Sequence, residues 1–385
     1  MRIAVVGAGP AGLYFATLWR KRHPGDEVTV YEQNPAGATF GFGVVFSDRA
    51  PDFLRADDPE TADLITPRME TWQDITPVHR GERIAIDGVG FSAIGRLAFL
   101  RLLEARARAV GVEPRYGAPV RLDALGGFDL VVGADGVNST VRGALAAELG
   151  TALSHLANRF VWYGTTKRFE TLSQTFVETG LGTFNAHHYR YAPGMSTFIV
   201  ECDPETWTRA GFDRTGPEET RAICEAAFAD TLEGHALVSN KSVWRAFPFV
   251  ANARWSQGNR VLIGDALHTA HFSIGSGTRL ALEDAIALAA ALAEAPNDLR
   301  EGLARYEAAR RPVADKLVAA SRASAAWYER FPAHMRLEPL DFAMSYLTRS
   351  GRLDDERLRA LSPRFMARYA ARAGSPNGGP QLSSC

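Results

Sequence analysis

The chain has 385 residues, 46% of them apolar, and a formal net charge of −1. That length predicts two or three domains with sizeable cores, and the near-zero charge argues against a whole-protein field built for nucleic acid or an anionic membrane surface. Cys202, Cys224 and Cys385 form no CxxC pair, so neither a disulfide framework nor a zinc site is expected. The apolar run 285–293 falls far short of the roughly 20 residues that cross a bilayer. A cytoplasmic monomer or homodimer is expected, with no nucleic-acid or membrane partner.

Residues 2–6 (RIAVV) predict a buried parallel strand, GAGPAG follows, and Leu13 to Arg22 repeats at helical spacing. EVTVYE predicts a second strand ending in an acid, which completes a βαβ unit. Residues 36–43 are glycine-rich and predict a loop. Residues 95–110 predict a helix with Leu97, Leu100, Leu103 and Ala107 on one stripe. FDLVVGADG predicts another buried strand entering a turn. From Arg159 to Val200, aromatic and β-branched runs split by Pro/Gly turns predict antiparallel sheet. Residues 217–230 predict helix, Ser242 to Phe249 strand, RVLIGD a buried strand, and 280–330 alanine-rich helices. The tail 374–385 is expected to be disordered. The fold class is therefore α/β, with a discontinuous nucleotide-binding domain (1–158 and 251–330), an inserted antiparallel domain (159–250) and a C-terminal helical segment (331–373).

Gly7, Gly9 and Gly12 form GxGxxG between a strand and a helix. The glycines allow the turn, close approach of a pyrophosphate, and tight helix–strand packing, while the helix N-terminus offers unpaired N–H groups. Glu32 ends the second strand at the spacing where a carboxylate accepts from ribose hydroxyls, which disfavours a 2′-phosphate. The motif alone leaves FAD and NAD open.

Two later motifs narrow the choice. DLVVGADGVNSTVR contains Asp135-Gly136, and RVLIGDALHTAHFSIGSG contains Gly264-Asp265 before a glycine-rich turn. With GxGxxG first, this order resembles the flavoprotein aromatic monooxygenases of the p-hydroxybenzoate hydroxylase type, over about residues 1–330. The resemblance implies a Rossmann-like FAD-binding domain with an inserted antiparallel-sheet substrate domain. It implies FAD contacts from Gly7, Gly9, Pro10, Ala11, Gly12, Glu32, Gln33, Val44, Arg96, Val120, Asp135, Gly136, Asp265, Gly275, Ser276 and Gly277. It also implies NADH or NADPH as transient reductant, O2 as co-substrate, and oxygen transfer through a flavin C4a-hydroperoxide to an electron-rich ring. Where most of the family carries proline beside the flavin, this chain has His271-Phe272-Ser273.

GFGVVFSD (41–48), the segment from Trp162 to Glu201, HFSIGSGT (271–278) and LDFAMSYLTRSGR (340–352) resemble a subgroup acting on aromatic acyl-CoA esters, such as salicylyl-CoA 5-hydroxylase and the anthraniloyl-CoA monooxygenase. The first three stretches also resemble the violacein-pathway tryptophan hydroxylase. Salicylyl-CoA 5-hydroxylation is the leading expectation. A free aromatic or indolic substrate is the alternative, and an FAD-linked reductase or flavin-binding sensor the alternative class.

Candidate substrate contacts are Tyr163, His187, His271 and Ser273; a neutral imidazole would take a phenol or aniline proton. His188 must point to the opposite face of a strand from His187. His268 is expected to pack beside the Gly-Asp turn; lacking a third ligand, it and His271 do not predict a metal site. Lys167, Arg168, Arg190, Arg209, Arg310 and Arg311 are candidate contacts for the phosphates of a CoA ester.

Overall fold

The computed structural model describes residues 1–47 and 52–373. Asp48, which closes the first subgroup stretch, and the tail 374–385 lie outside the described residues.

Short β-branched runs build the first sheet. Arg2–Val6, Glu27–Tyr31, Leu130–Gly133 and Arg260–Leu262 lie parallel, and Ser256–Gln257 adds an antiparallel edge, in the order 256, 260, 130, 2, 27. The chain leaves this sheet twice and returns twice, so sequence-distant motifs meet at one set of strand ends. The central strands are buried, as parallel strands covered by helices must be. Helices Pro10–Arg22, Arg96–Ala109, Gly277–Glu294 and Leu299–Tyr328 share their core. On Arg96–Ala109 the buried stripe runs Phe99, Leu103, Ala107, with Leu97 and Leu100 only half-buried; the larger Phe99 takes the inward position.

The second sheet has eight strands. Its order is Leu237–Ser239, Thr151–Thr165, Met195–Cys202, Gly182–Ala192, Leu172–Thr179, Ile75–His79 and Glu82–Arg83, and Arg245–Asn252 pairs with the other half of the long strand Thr151–Thr165. This differs from the expected insert at 159–250. The sheet starts at Thr151, runs to Asn252, and recruits residues 75–83, whose strand joins in parallel with Leu172 opposite Ile75. Period-two patterning identifies a strand but not its distant partner. A three-stranded sheet, Gly43–Phe46, Phe91–Gly95 and Glu70–Trp72, lies between the two. Thr197 Oγ1 accepts from the Gly43 N–H at 2.9 Å, and Tyr189 donates to the Gly43 carbonyl at 3.0 Å.

The 30-residue helix Leu299–Tyr328 joins the halves. Near one end Tyr306 donates to the Leu262 carbonyl of the parallel sheet; at the other, Tyr328 donates to Gln174 of the large sheet. The C-terminal segment is helical and packs on the rest of the chain. Trp327, Tyr328 and Phe331 are buried with Phe342, Tyr346 and Phe365 against Trp72, Ile84 and Phe176. No helix among the described residues is long and apolar enough to cross a membrane.

Candidate active site

All the glycine and acid motifs converge on the carboxyl ends of the parallel strands, where open α/β sheets bind ligands. Gly7 has φ +106°, and a Cβ there would lie 2.4 Å from the Ala134 carbonyl; a Cβ on Gly12 would lie 2.0 Å from the Gly7 carbonyl. Nothing stands within 4 Å of a Cβ placed on Gly9, so the cradle is open on that side. Gly9 N-caps the helix without a side-chain bond, and Pro10 removes one orphan N–H. Ala11 packs beneath, against Gly264. Glu32 accepts from the Ala8 N–H at 2.9 Å and from Asn34, which aims its carboxylate across the turn. Asp135 Oδ2 accepts from Thr140 at the start of the next helix, while its Oδ1 is buried without a partner. Arg96 Nε is likewise buried and unpartnered; burial lowers its pKa, opposed by the charge of Asp265. Val44 is buried, Val120 half-buried, and Gln33 exposed. Gly275, Ser276 and Gly277 form the uncapped start of the helix Gly277–Glu294. An open glycine cradle with orphaned donors and acceptors fits an adenine dinucleotide such as FAD.

His268 does pack beside the Gly-Asp turn. Its Nε2 lies 2.8 Å from Asp284, whose other oxygen meets Arg310 at 2.8 Å, and Asp284 also accepts from the Gly264 N–H. This buried ionic cluster fixes the turn from behind.

The large sheet has two different faces. Register pairs Tyr163 with Phe198 and Phe198 with His188, so these three share one face, packed with Cys224 and Phe228 under the helix Pro217–Ala227. Register pairs Gln174 with His187, His187 with Ile199, and Asn185 with Glu201, on the other face. Tyr163 therefore does not share a pocket with His187. Its ring fills the opposite core, and the expectation that it contacts substrate is corrected.

His271, Phe272 and Ser273 come down on the His187 face. The Phe272 ring lies 5.0 Å from His187 and 4.1 Å from His271, and Tyr328 lies 5.0 Å from His187. Phe160 and Phe247 close the aromatic wall. Three expected residues, His187, His271 and Ser273, thus meet. Hydrogen bonds then assign their roles. Tyr328 donates to Gln174 Oε1, so Gln174 Nε2 donates to His187 Nδ1 at 2.7 Å. Arg349 Nε donates to Ser324 Oγ at 3.1 Å, the Ser324 and Ser273 hydroxyls lie 2.7 Å apart, and His271 Nδ1, which accepts from the Ser273 N–H, lies 2.8 Å from Ser273 Oγ. Both imidazoles accept at Nδ1 and carry their proton on Nε2. The expected role of His187 as acceptor of a substrate proton is corrected: its accepting nitrogen is already taken. Burial pushes both histidines down to about 3, with Arg349 acting in the same direction, so both are neutral at physiological pH.

Sequence reading missed Glu201, Asn158, Asn185, Gln174, Tyr328 and Arg349. Glu201 lies on the His187 face, its Oε2 3.7 Å from His187 Nε2, and its Oε1 accepts from Asn158 Nδ2 at 2.9 Å. Burial raises its pKa. An acid at the period of inward positions in MSTFIVEC is the signal that could have found it.

The cations suggested for a CoA ester divide. Arg310 is buried on Asp284 and Glu283, and Arg311 is tied to Glu307 and the Ala253 carbonyl, so neither is available. Arg190 is spent on Glu70 and nearby carbonyls, and Lys167 on Glu233. Arg209 donates to the Leu181 carbonyl, while Arg168 reaches Glu170 only at 4.0 Å.

The FAD binding domain family matches residues 106–321, and an NAD(P)-binding Rossmann-like domain matches residues 5–55. The salicyloyl-CoA 5-hydroxylase of a Streptomyces species is 42% identical over 361 residues, 91% of this chain and 70% of the relative. The chain belongs to this FAD-binding family, as an FAD-dependent monooxygenase. A 3-hydroxy-4-methyl-anthranilyl-[aryl-carrier protein] 5-monooxygenase of Streptosporangium sibiricum is 40% identical to the monooxygenase, covering 86% of this chain and 90% of the relative. The protodeoxyviolaceinate monooxygenase of Chromobacterium violaceum is 32% identical, over 94% of this chain and 96% of the relative; that violacein relative is named for protodeoxyviolaceinate, not for tryptophan. Among solved structures, a single-residue mutant of 2-methyl-3-hydroxypyridine-5-carboxylic acid oxygenase superposes with TM-score 0.71 at 17% identity, over 94% of this chain and 96% of that chain. The fold is also that of pqsL from Pseudomonas aeruginosa, with TM-score 0.67 at 22% identity, over 86% of this chain and 96% of that chain.

Proposed function

We propose that the monooxygenase hydroxylates the ring of an aromatic acid presented as a thioester, of the salicylyl-CoA type, at the 5-position. One observation carries this reading. The two charged groups felt at the histidines are Glu201 and Arg349. Arg349 already donates from all three nitrogens, to Ser324, to the Tyr346 carbonyl and to the Ser273 carbonyl. Those partners leave Arg349 without a carboxylate of its own, while the buried Glu201 on the same face repels a second carboxylate. A second carboxylate buried beside Glu201 is costly, which favours an acid that arrives masked. The names of the 42% and 40% relatives support this, since both act on aromatic acids carried as thioesters.

FAD bound at the strand ends supplies the oxygen chemistry, with NADH or NADPH as reductant. In this reading Gly7, Gly9, Pro10, Ala11 and Gly12 hold the pyrophosphate. Glu32 and Gln33 face a ribose. Arg96, Asp135, Gly136, Asp265 and the turn Gly275–Gly277 hold the remainder, between Val44 and Val120. Phe160, Phe247, Phe272 and Tyr328 exclude water and present an aromatic wall to an arene. The chain Arg349–Ser324–Ser273 fixes the His271 ring beside that wall, and Gln174 fixes His187.

The test is NADH oxidation, oxygen uptake and product formation with salicylyl-CoA against free salicylate. Coupled product from the thioester alone is the expected result. A second reading, a free indolic substrate, is favoured by the 32% relative's coverage of 94% of this chain. Product from an indole and none from the thioester would support it. Reduction of the cofactor without oxygen uptake would point to the reductase or sensor class.

A further inference from the structure

The face that carries His187 holds a cluster of buried polar atoms with no partner: Asn158 Oδ1, Asn185 Nδ2 and Oδ1, His187 Nε2 and Glu201 Oε2. These are neighbours. Asn185 stands directly opposite Glu201 in the register, His187 is two positions along the same strand, and Asn158 bonds Glu201 from the next strand. All four residues are at most 5% exposed. Buried polar groups are almost always paired, so five orphans in one place mark where a polar group of a ligand or an ordered water fits. The separation of 3.7 Å between His187 Nε2 and Glu201 Oε2 is too long for a hydrogen bond. The cluster borders the aromatic wall through the His187–Phe272 contact.

Neither histidine can accept a proton at Nδ1, because donors already occupy both. Both Nε2 atoms bear hydrogen and are donors. The one basic oxygen left unengaged in the cluster is Glu201 Oε2. We propose that Glu201 is the residue that takes the proton from the ring hydroxyl or amino group of the aromatic substrate, and that it selects rings bearing such a donor.

The inference rests on the aromatic-hydroxylase reading above. In the step, the substrate O–H (or N–H) bond breaks and its electron pair stays on the heteroatom, enriching the ring. The proton bonds to Glu201 Oε2, and nothing is oxidised or reduced. The groups facing Glu201 set its basicity. Burial raises it, while His271 and the Asn158 and Asn185 amides draw it back. His187 faces it from the adjoining strand and Arg349 reaches the two histidines from the C-terminal helices. A carboxyl raised in this way is the stronger base for a weakly acidic phenol. A ring lacking the donor leaves Oε2, Asn185 and Asn158 unpaired, which is how such a site rejects an analogue.

The experiment uses the FAD-loaded protein under anaerobic conditions with salicylyl-CoA, its 2-methoxy analogue, and Glu201→Gln. Difference absorbance reads the ionisation of the bound ring across pH 5 to 9. With wild type, bound salicylyl-CoA is expected to appear as phenolate, in a fraction that rises with pH, and the methoxy analogue to bind at least ~10-fold more weakly. With Glu201→Gln the phenolate signal should vanish at neutral pH while salicylyl-CoA still binds, and hydroxylated product per NADH should fall by ~100-fold or more. A merely structural Glu201 would leave the ionised fraction unchanged. Phenolate retained in Glu201→Gln, or a bound phenol that stays protonated in wild type over the whole range, overturns the proposal and leaves the hydroxylase reading intact; the wild-type titration decides even if the variant does not fold. Failure of salicylyl-CoA to bind wild type at all overturns both.

Discussion

The carboxyl ends of the parallel sheet and the His187 face of the large sheet are the two candidate sites, for cofactor and for substrate, and they are built by opposite means. At the strand ends, backbone does the work. Glycines open space, helix N-termini supply N–H groups, and one acid stands at a fixed spacing. On the sheet face, side chains from Thr151–Thr165, Gly182–Ala192, Met195–Cys202, the 271–273 turn and the last helices converge from far apart. The first kind of site is coded within a few residues. The second exists only after the fold has assembled, and its polar groups are held in a dry place at a cost in stability.

The sharpest way to break the first region is Gly12→Val. A Cβ there lands 2.0 Å from the Gly7 carbonyl, so strand and helix must separate. We expect purified protein without bound flavin, read by its visible absorbance, and a melting temperature well below wild type. Retained yellow colour would contradict the backbone account.

The second region is the one acid should attack. His187 and His271 are held neutral, their values pushed down from the ordinary 6.5 to about 3 by burial. Above the ordinary value neither state binds the proton, so these two groups add no pH dependence there. Below it the unfolded chain takes up protons that the folded chain refuses. Stability should therefore fall by about 1.4 kcal/mol per pH unit for each histidine between roughly pH 6.5 and 3. Urea unfolding midpoints at several pH values measure this slope. Replacing both histidines by asparagine should flatten it, and an unchanged slope would place the acid sensitivity elsewhere.

A smaller effect is expected from Tyr328→Phe. Losing the hydroxyl leaves Gln174 Oε1 unpaired and frees the amide that orients His187. Stability should drop by about 1–3 kcal/mol, and product per NADH should fall with it. The smallest effect is predicted for Tyr163→Phe. Its ring lies on the opposite face with Cys224 and Phe198, so coupling should change by less than about twofold. A large loss of coupling there would mean that the two faces are not functionally separate.

The contrast also explains what the sequence could tell. GAGPAG, Asp135-Gly136 and Gly264-Asp265 were legible because each motif is local and follows a strand into a helical turn, and Glu32 because it ends a strand at a fixed spacing. His187, in the antiparallel insert, and His271 and Ser273, beside the glycine-rich turn, were legible as candidate chemistry-bearing residues. Tyr163 was misplaced because alternation gives relative faces within a strand but not which face the turn will cover. Glu201 went unnoticed because an acid at the end of an apolar strand reads as its solvent end, whereas Asn158, Asn185 and the 15-residue strand bury it. Residues 75–83 joined a sheet whose other strands begin only at Thr151, a pairing no local pattern contains. Arg310 looked like a free surface cation and proved to be the partner of Asp284.

The account's central claim is that a cofactor at the strand ends serves an aromatic thioester on the His187 face. The direct measurement is the ratio of hydroxylated product to NAD(P)H consumed by the FAD-loaded protein, with salicylyl-CoA and with free salicylate. A ratio near one for the thioester and near zero for the free acid is predicted. Equal coupling with free salicylate, or no product from any aromatic ester, would contradict it.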